Sequence, residues 1–302
     1  MLKKRWKDVK TLLAGASKKF KEDDPIRLAG TTAYFTVFAV APIIIIIVSV
    51  IGLLLGEETI REKAYEELEG LINEEGTEYI KSLVSNYQGT QKNITGTIIG
   101  VIIFLITSTT FFTVLQKSLN FVWRIRAKPS RNLIKTLKDR LLSFGLILSL
   151  GFIMVISLLI DAGLSILDDF LQNKFPYITV ILMKTGNFLL SFAVVMVIFA
   201  MIYKFLPDAV IKWKVVWFGS FITTLLFTLG KFLIGFALGN SNIGVMYGAA
   251  GSLVVILLWV FYSSLIFFYG AEITQQYAEQ FSHTILPKKN AVQIKISEVE
   301  KK

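Results

Sequence analysis

The sequence predicts an all-α membrane protein with six transmembrane helices, an N-terminal amphipathic helix and a short extracellular helical pair. Apolar residues make up 54% of the chain and only 18% of its residues are charged, whereas soluble chains carry about 25% charged residues. A hydrocarbon core about 30 Å thick needs roughly 20 helical residues to span it. Six apolar stretches reach that length: 28–55, 94–116, 141–164, 178–206, 215–239 and 247–271.

The charge pattern predicts how these spans are oriented. Most of the 32 Lys and Arg residues lie before the first stretch, between the second and third, between the fourth and fifth, and after the sixth. Positive charge marks the cytoplasmic side of a membrane protein. We therefore expect a multi-pass protein of the bacterial inner or plasma membrane with both termini in the cytoplasm. The net charge of +10 is explained by this sorting, so no nucleic-acid partner is predicted.

Three parts follow from this topology: a basic helix over 1–22, a membrane domain over 23–280 and a cytoplasmic tail over 281–302. In the first part, apolar residues at helical spacing form one stripe among lysines: Leu2, Trp6, Val9, Leu13, Ala16 and Phe20. Such a helix either lies on an anionic lipid surface or only anchors the topology. Asp24 followed by Pro25 predicts the start of the next helix, with Asp24 as its N-cap.

The loop over 56–93 is predicted to lie outside the cell as the helical pair. Its apolar residues recur at helical spacing, and it carries nine acidic residues. Such a charge run favours a solvated helix face over a cation site.

Catalysis is not predicted, and neither is a cofactor or a metal. The chain has no cysteine and a single histidine, His283, so it lacks a thiolate nucleophile and the ligand spacing of a zinc site. The sequence also contains no phosphate-binding glycine loop. The protein is therefore expected not to be an enzyme.

Ionisable residues inside predicted spans are the candidate substrate-binding residues, because such groups are costly in lipid. Lys231 lies 16 residues beyond Val215, which places it about 24 Å into its span. Lys184 and Asp161 are predicted at a similar depth, near the outer ends of their spans. Together these three residues suit an anionic head group, although Lys184 and Asp161 can instead extend to the outer surface.

Three further residues complete the predicted substrate-binding set. Glu272 closes the sixth span on the cytoplasmic side, where it either takes part in proton coupling or pairs with a basic loop. Arg124, together with Arg126, is the natural partner to test. Tyr247 opens the sixth span, next to Gly248.

Small residues at a spacing of four predict close helix packing, as at Gly96 with Gly100 and at Gly235 with Gly239. An exposed face of this kind also permits a homodimer.

The order of several motifs resembles the YihY/BrkB membrane protein family over roughly residues 20–280. The residues that carry the resemblance are Ala33-Tyr34-Phe35, Ala41-Pro42, Asn120 to Arg124, Arg140, Leu206-Pro207-Asp208, Trp213 to Gly219, Tyr247-Gly248, Trp259 and Gly270-Ala271-Glu272. The family usually has Asn where this chain has Asp208. The resemblance implies a six-helix bacterial inner-membrane protein and brings no catalytic residues. Members once carried a ribonuclease label, which nothing in this sequence supports.

Two functions stay open at this point. One is a transporter that moves a lipid or another amphiphile with an anionic head across the inner membrane, with membrane lipids as its partners. The resemblance favours it, because one relative is linked to movement of a lipid A precursor. The other is a non-catalytic membrane scaffold that organises the envelope.

Overall fold

The computed structural model describes residues 2–39, 94–128, 176–239, 250–281 and 283–295, with a few single positions between these ranges. Helices dominate these residues. They are α1 (Leu2–Glu22), α2 (from residue 25, described to 39), α3 (Ile94–Val122), α4 (Pro176–Phe205), α5 (Trp213–Gly239) and α6 (Gly251–Gln280). Four short strands follow three of the helices: β1 (Ile125–Ala127), β2 (Ala209–Val210), β3 (Leu286–Pro287) and β4 (Ala291–Gln293).

Three of the described helices are long and apolar enough to cross a membrane. Their candidate spans are Thr185–Phe205, Trp213–Ala237 and Leu253–Gln280, and they coincide with the fourth, fifth and sixth predicted spans. In the most apolar part of each span, only 11% of the first and 22% of the second is buried within the protein. Such weakly covered apolar helices are typical of a helical membrane protein, which confirms that part of the predicted fold class.

The second predicted span lies within α3, whereas other predicted segments lie outside the described residues. These are the third span, the second half of the first, and 56–93 except for single positions. The count of six spans and the extracellular helical pair therefore stay predictions.

The buried core lies at the end of the bundle where α3, α4 and α6 finish, which we call the capped end. Trp123 and Tyr203 are fully buried there, and their rings meet edge to face with centroids 6.0 Å apart. The Trp123 indole N–H donates to the carbonyl of Ala271 at 3.1 Å. The Tyr203 hydroxyl donates to the carbonyl of Phe267 at 2.8 Å. Each aromatic residue thus buries its ring while its polar atom is satisfied by the backbone of α6.

Close approach of α5 and α6 depends on two glycines that the sequence analysis named within the family motifs but not as packing residues. A side-chain carbon added at Gly219 would overlap Thr274, and one added at Gly270 would overlap Thr223. Small residues let two backbones approach in this way. By contrast, a carbon added at Gly235 would meet nothing within 4 Å, so the predicted packing role of Gly235 is not seen within the described part of this chain.

The predicted apolar stripe of α1 is divided between two faces. Ala16 is fully buried beside Leu12 and Ile273 of α6, whereas Val9 and Leu13 are 49% and 42% exposed. Leu12, which the prediction placed off the stripe, takes part in the packing because α1 approaches α6 closely. A side-chain carbon added at the neighbouring Gly15 would overlap Gln276. The face available to a lipid surface is therefore narrower than predicted.

The predicted helix start at Asp24 is confirmed. The helix begins at residue 25, and the Arg27 backbone N–H donates to Asp24 Oδ1 at 3.4 Å. The Asp24 carboxylate also contacts the Arg27 side chain at 3.2 Å. An N-cap followed by proline in the first turn satisfies the free N–H groups of the helix in this way.

The segment after α6 pairs with both loops at the capped end. Strand β4 pairs antiparallel with β1, with Arg126 opposite Val292, and β3 pairs antiparallel with β2, with Val210 opposite Leu286. The Lys288 ammonium group donates to the Pro207 carbonyl at 2.7 Å. These short strands are an addition to the all-α prediction. Each pairing satisfies backbone N–H and C=O groups of a loop at the capped end.

Candidate functional site

An ion pair joins two remote segments at the capped end. The Arg124 guanidinium donates two hydrogen bonds to the Asp23 carboxylate, at 2.6 Å and 2.7 Å. Asp23 ends the turn between α1 and α2 and is 3% exposed, while Arg124 follows α3. A two-pronged pair of this kind fixes both position and orientation. It therefore holds the start of α2 against the end of α3.

Arg124 is held as a cation. Its hydrogen bonds to Asp23, partly opposed by burial, raise the pKa of the guanidinium above its ordinary value, and the charges of Asp23, Glu272 and Glu22 act in the same direction. Arg124 also has a backbone φ of 56°. This left-handed conformation is uncommon for residues other than glycine. The turn that places the guanidinium is thus an unusual one.

Glu272 lies on α6 beside this ion pair and is fully buried. Neither of its carboxyl oxygens has a hydrogen-bond partner among the residues that the structure describes. The charges that act on it come from Asp23, Arg124 and Lys19. The predicted partner Arg124 is therefore close enough to interact electrostatically, but its hydrogen bonds to a carboxylate go to Asp23. The sequence analysis did not single out Asp23, because local sequence does not show which remote residue a carboxylate meets.

A second ion pair lies at the edge of the same site. The Lys19 ammonium contacts both carboxylate oxygens of Glu279, at 2.7 Å and 2.8 Å. This pair is partly exposed and ties α1 to the last turn of α6. The Ser17 and Tyr269 hydroxyls, 2.9 Å apart, add a further link between the two helices.

Lys231 lies far from this cluster. It is half-buried on α5, about 27 Å from the Trp213 end of the helix at 1.5 Å per residue. Next to it, Phe232 and Leu233 are 65% and 66% exposed. Lys231 is thus a cation within an apolar span, on a helix that shows much of its surface to the surroundings.

The remaining predicted site residues fall in different places. Tyr247 is exposed and precedes α6, whose first residue, Gly251, lies about 32 Å along the helix from Glu272. Asp161 and the side chain of Lys184 lie outside the described residues. The structure therefore brings Arg124 and Glu272 together and places Tyr247 far from them, while the predicted cluster of Lys231, Lys184 and Asp161 stays a prediction.

Exposed aromatic residues mark the level of the capped end on the outside of the bundle. The rings of Trp213 and Trp217 are stacked 6.1 Å apart, and both residues are more than 40% exposed. The Lys204 ammonium lies 5.2 Å from the Trp213 ring centre. Tryptophan and lysine together are typical of the interface between a membrane and water.

A metal site is not evident in the described ranges, where no group of three or more His, Asp or Glu side chains is placed to hold an ion.

A family model described as "Virulence factor BrkB" matches residues 16–294 of the chain. The chain belongs to this family. Curated relatives are called "UPF0761 membrane protein". One from Pseudoalteromonas translucida is 27% identical over 83% of this chain and 81% of its own length. One from Haemophilus influenzae is 24% identical over 85% of this chain and 91% of its own length. One from Acinetobacter baylyi is 23% identical over 85% of this chain but 59% of its own length. No solved structure matches.

The BrkB membership confirms the predicted resemblance, and the capped end explains several of the residues that carried it. Asn120 bonds to Asp208, Trp123 to Ala271, and Arg124 to Asp23. In this BrkB protein, motif residues that are scattered along the sequence meet in one polar cluster. A bacterial membrane protein is thereby established.

Proposed function

We propose that this protein moves an amphiphile with an anionic head group, such as a phospholipid, across the bacterial inner membrane. The observation that carries the proposal is the position of Lys231. It is a half-buried cation on a span whose neighbouring side chains, including Phe236 at 75% exposure, are open to the surroundings.

An ionisable side chain within a membrane span is costly and is therefore a candidate functional residue. The phosphate of a lipid head group supplies a negative charge and several acceptor oxygens, and the exposed apolar side chains beside Lys231 suit the acyl chains. One stretch of α5 can therefore contact both the anionic head group and the apolar chains of an amphiphile.

Close packing of α5 and α6 near the capped end supports a lipid path that is open only farther along the two helices. The contacts of Gly219 and Gly270 bring the two helices together at that end. At Gly235, beyond Lys231, an added side-chain carbon would meet no described residue within 4 Å. The proposed route passes along this less covered part of α5.

The test is reconstitution of the full chain in liposomes that contain fluorescent phospholipids, with the rate of exchange between leaflets as the readout. We expect the parent protein to speed exchange and Lys231→Ala to slow it about tenfold, since a hydrogen bond to a charged group contributes about 1.5–3 kcal/mol. Lys214→Ala is the matched control, because Lys214 is an exposed lysine at the start of the same helix.

Two outcomes would contradict the proposal. Equal exchange by the parent and by Lys231→Ala would remove Lys231 as the site. No exchange by folded parent protein would argue against lipid transport and favour the scaffold hypothesis.

A further inference from the structure

Glu272 is a fully buried carboxyl group on α6 whose two oxygens have no donor among the described residues. An ionised carboxylate loses its hydration on burial and becomes costly unless donors or a cation replace the lost water. A neutral carboxyl group avoids that cost and gains one O–H donor. The residues around Glu272 therefore decide whether its carboxyl group is ionised or neutral.

The described cations near Glu272 are each already bound to another carboxylate. Arg124, after α3, binds Asp23 at 2.6 Å, and Lys19, on α1, binds Glu279 at 2.7 Å. On α5, the residues that face this level of α6 are uncharged, as at Gly219 and the buried Ser220 and Thr223. On α4, the nearby buried group is the neutral hydroxyl of Tyr203.

Charge counting then favours one proton at this site. The two cations are balanced by Asp23 and Glu279, so an ionised Glu272 would add an uncompensated negative charge in a buried place. Asp23 has acceptor capacity left, because a carboxylate accepts about four hydrogen bonds and Arg124 uses two of these. A protonated Glu272 can donate to one of the remaining positions.

We propose that Glu272 and Asp23 form a proton-binding carboxyl pair, with Arg124 as the positioning residue that keeps Asp23 ionised and oriented. On uptake, a proton from water bonds to a Glu272 carboxylate oxygen, and the resulting O–H donates to Asp23. On release, that O–H bond breaks and the proton returns to water, which leaves two carboxylates that repel each other. Two carboxyl groups in one site commonly share a single proton in this way.

The pair is placed where a change of charge acts on the bundle. Asp23 precedes α2, Arg124 ends α3, and Glu272 belongs to α6, so repulsion between the two carboxylates would separate α2 from α6. Asp24 and Arg124, with φ of 53° and 56°, give this junction two residues in the left-handed region, which is uncommon for residues other than glycine. The proton is thus a ligand that sets how tightly the capped end is held, whatever molecule the protein transports.

The direct test is infrared difference spectroscopy of the full-length protein in lipid during a pH titration. The expected result is a protonated buried carboxyl band at neutral pH that disappears in Glu272→Gln and titrates at a different pH in Asp23→Asn. Glu78→Gln is the control, since Glu78 is an exposed carboxylate that pairs with Lys81 and takes no part in the charge balance around Glu272; it should leave the band unchanged. A band that persists in Glu272→Gln would overturn the proposal.

A second measurement needs no variant and so does not depend on the folding of a mutant. Dicyclohexylcarbodiimide, a hydrophobic reagent, modifies protonated carboxyl groups, and mass spectrometry locates the product. We expect modification of Glu272 in the parent protein, falling about tenfold per pH unit above the midpoint of its titration. Modification that does not change with pH, or that spares Glu272, would contradict the proton site. Neither experiment measures lipid movement, so a failed transport assay leaves this inference standing.

Discussion

Asn120 and Asp208 exchange two hydrogen bonds across the capped end. The Asn120 side-chain amide donates to Asp208 Oδ2 at 2.8 Å, and the Asp208 backbone N–H donates to Asn120 Oδ1 at 2.8 Å. The Asp208 carbonyl then accepts from the backbone N–H of Lys288 at 2.8 Å. Asp208, in the Leu-Pro-Asp motif after α4, thus links α3 to the segment after α6.

Removing either partner of this pair should destabilise the protein. Asn120→Ala leaves the partly buried backbone N–H of Asp208 without its acceptor, which costs about 1 kcal/mol. Asp208→Asn should be tolerated, because an amide oxygen can still accept from Asn120, and the resembled family usually has Asn here. Thermal unfolding in detergent checks this, with a shift of about 2–4 °C per kcal/mol. A melting temperature that is unchanged in Asn120→Ala would contradict the role assigned to the pair.

Glycine at 219 and at 270 should be required for the packing of α5 on α6. Gly219→Ala places a methyl group against Thr274, and overpacking of this kind costs about 1–3 kcal/mol. Gly235→Ala is the matched control on the same helix and should not destabilise the protein, because an added side-chain carbon would meet no described residue within 4 Å there and Ala favours a helix over Gly. The yield of monodisperse protein and its melting temperature are the measurements. Thr274→Ala should partly rescue Gly219→Ala, and equal behaviour of the two alanine variants would refute the packing.

The segment after α6 should slow backbone hydrogen exchange in the loops with which it pairs. Truncation after Gln280 removes β3 and β4, so we expect faster backbone hydrogen exchange at 125–127 and 209–210. Truncation after Lys295 is the control and should leave exchange there unchanged. Hydrogen–deuterium exchange followed by mass spectrometry gives the answer. Equal protection after both truncations would show that the strand pairs contribute nothing to the order of these loops.

The exposed tryptophans of α5 should lie at the membrane interface. In variants that keep one of the five tryptophans and carry Phe at the others, lipids brominated near the head group should quench Trp213 and Trp217 strongly. Trp123 is fully buried and should be quenched much less. This pattern follows from aromatic residues at the boundary between lipid and water. Strong quenching of Trp123 would place the capped core in contact with lipid and contradict its burial.

Much of the helical organisation could be predicted from hydropathy alone. The predicted spans 178–206 and 215–239 match α4 and α5 closely, because a run of apolar residues about 20 long has few alternatives in a membrane. The sixth span, predicted over 247–271, overlaps α6, but the helix continues past Glu272 to Gln280. The helix start at Asp24 followed from local capping chemistry. The family was identified from motif order, without any knowledge of contacts.

The partners of the polar residues were not predictable in the same way. Glu272 stood out because it ends an apolar span, and Arg124 because it follows one, yet the residue that Arg124 binds is Asp23, about 100 positions away in the chain. Spacing along a helix says which face a side chain occupies, but not which remote segment meets that face. The small residues showed the same limit: Gly219 and Gly270 pack closely, whereas the more obvious Gly235 makes no such contact with the described residues.

The sequence by itself determined that this is a helical membrane protein of the BrkB family, since the solvent preference of each apolar stretch is a local property of its residues. The tertiary structure alone decided that Asp23, Arg124 and Glu272 share one buried place, and that α1 turns Leu12 and Ala16 toward α6. The physical reason is that hydrophobic length selects the solvent of a helix, whereas pairing of charges and close packing depend on which backbones can approach each other.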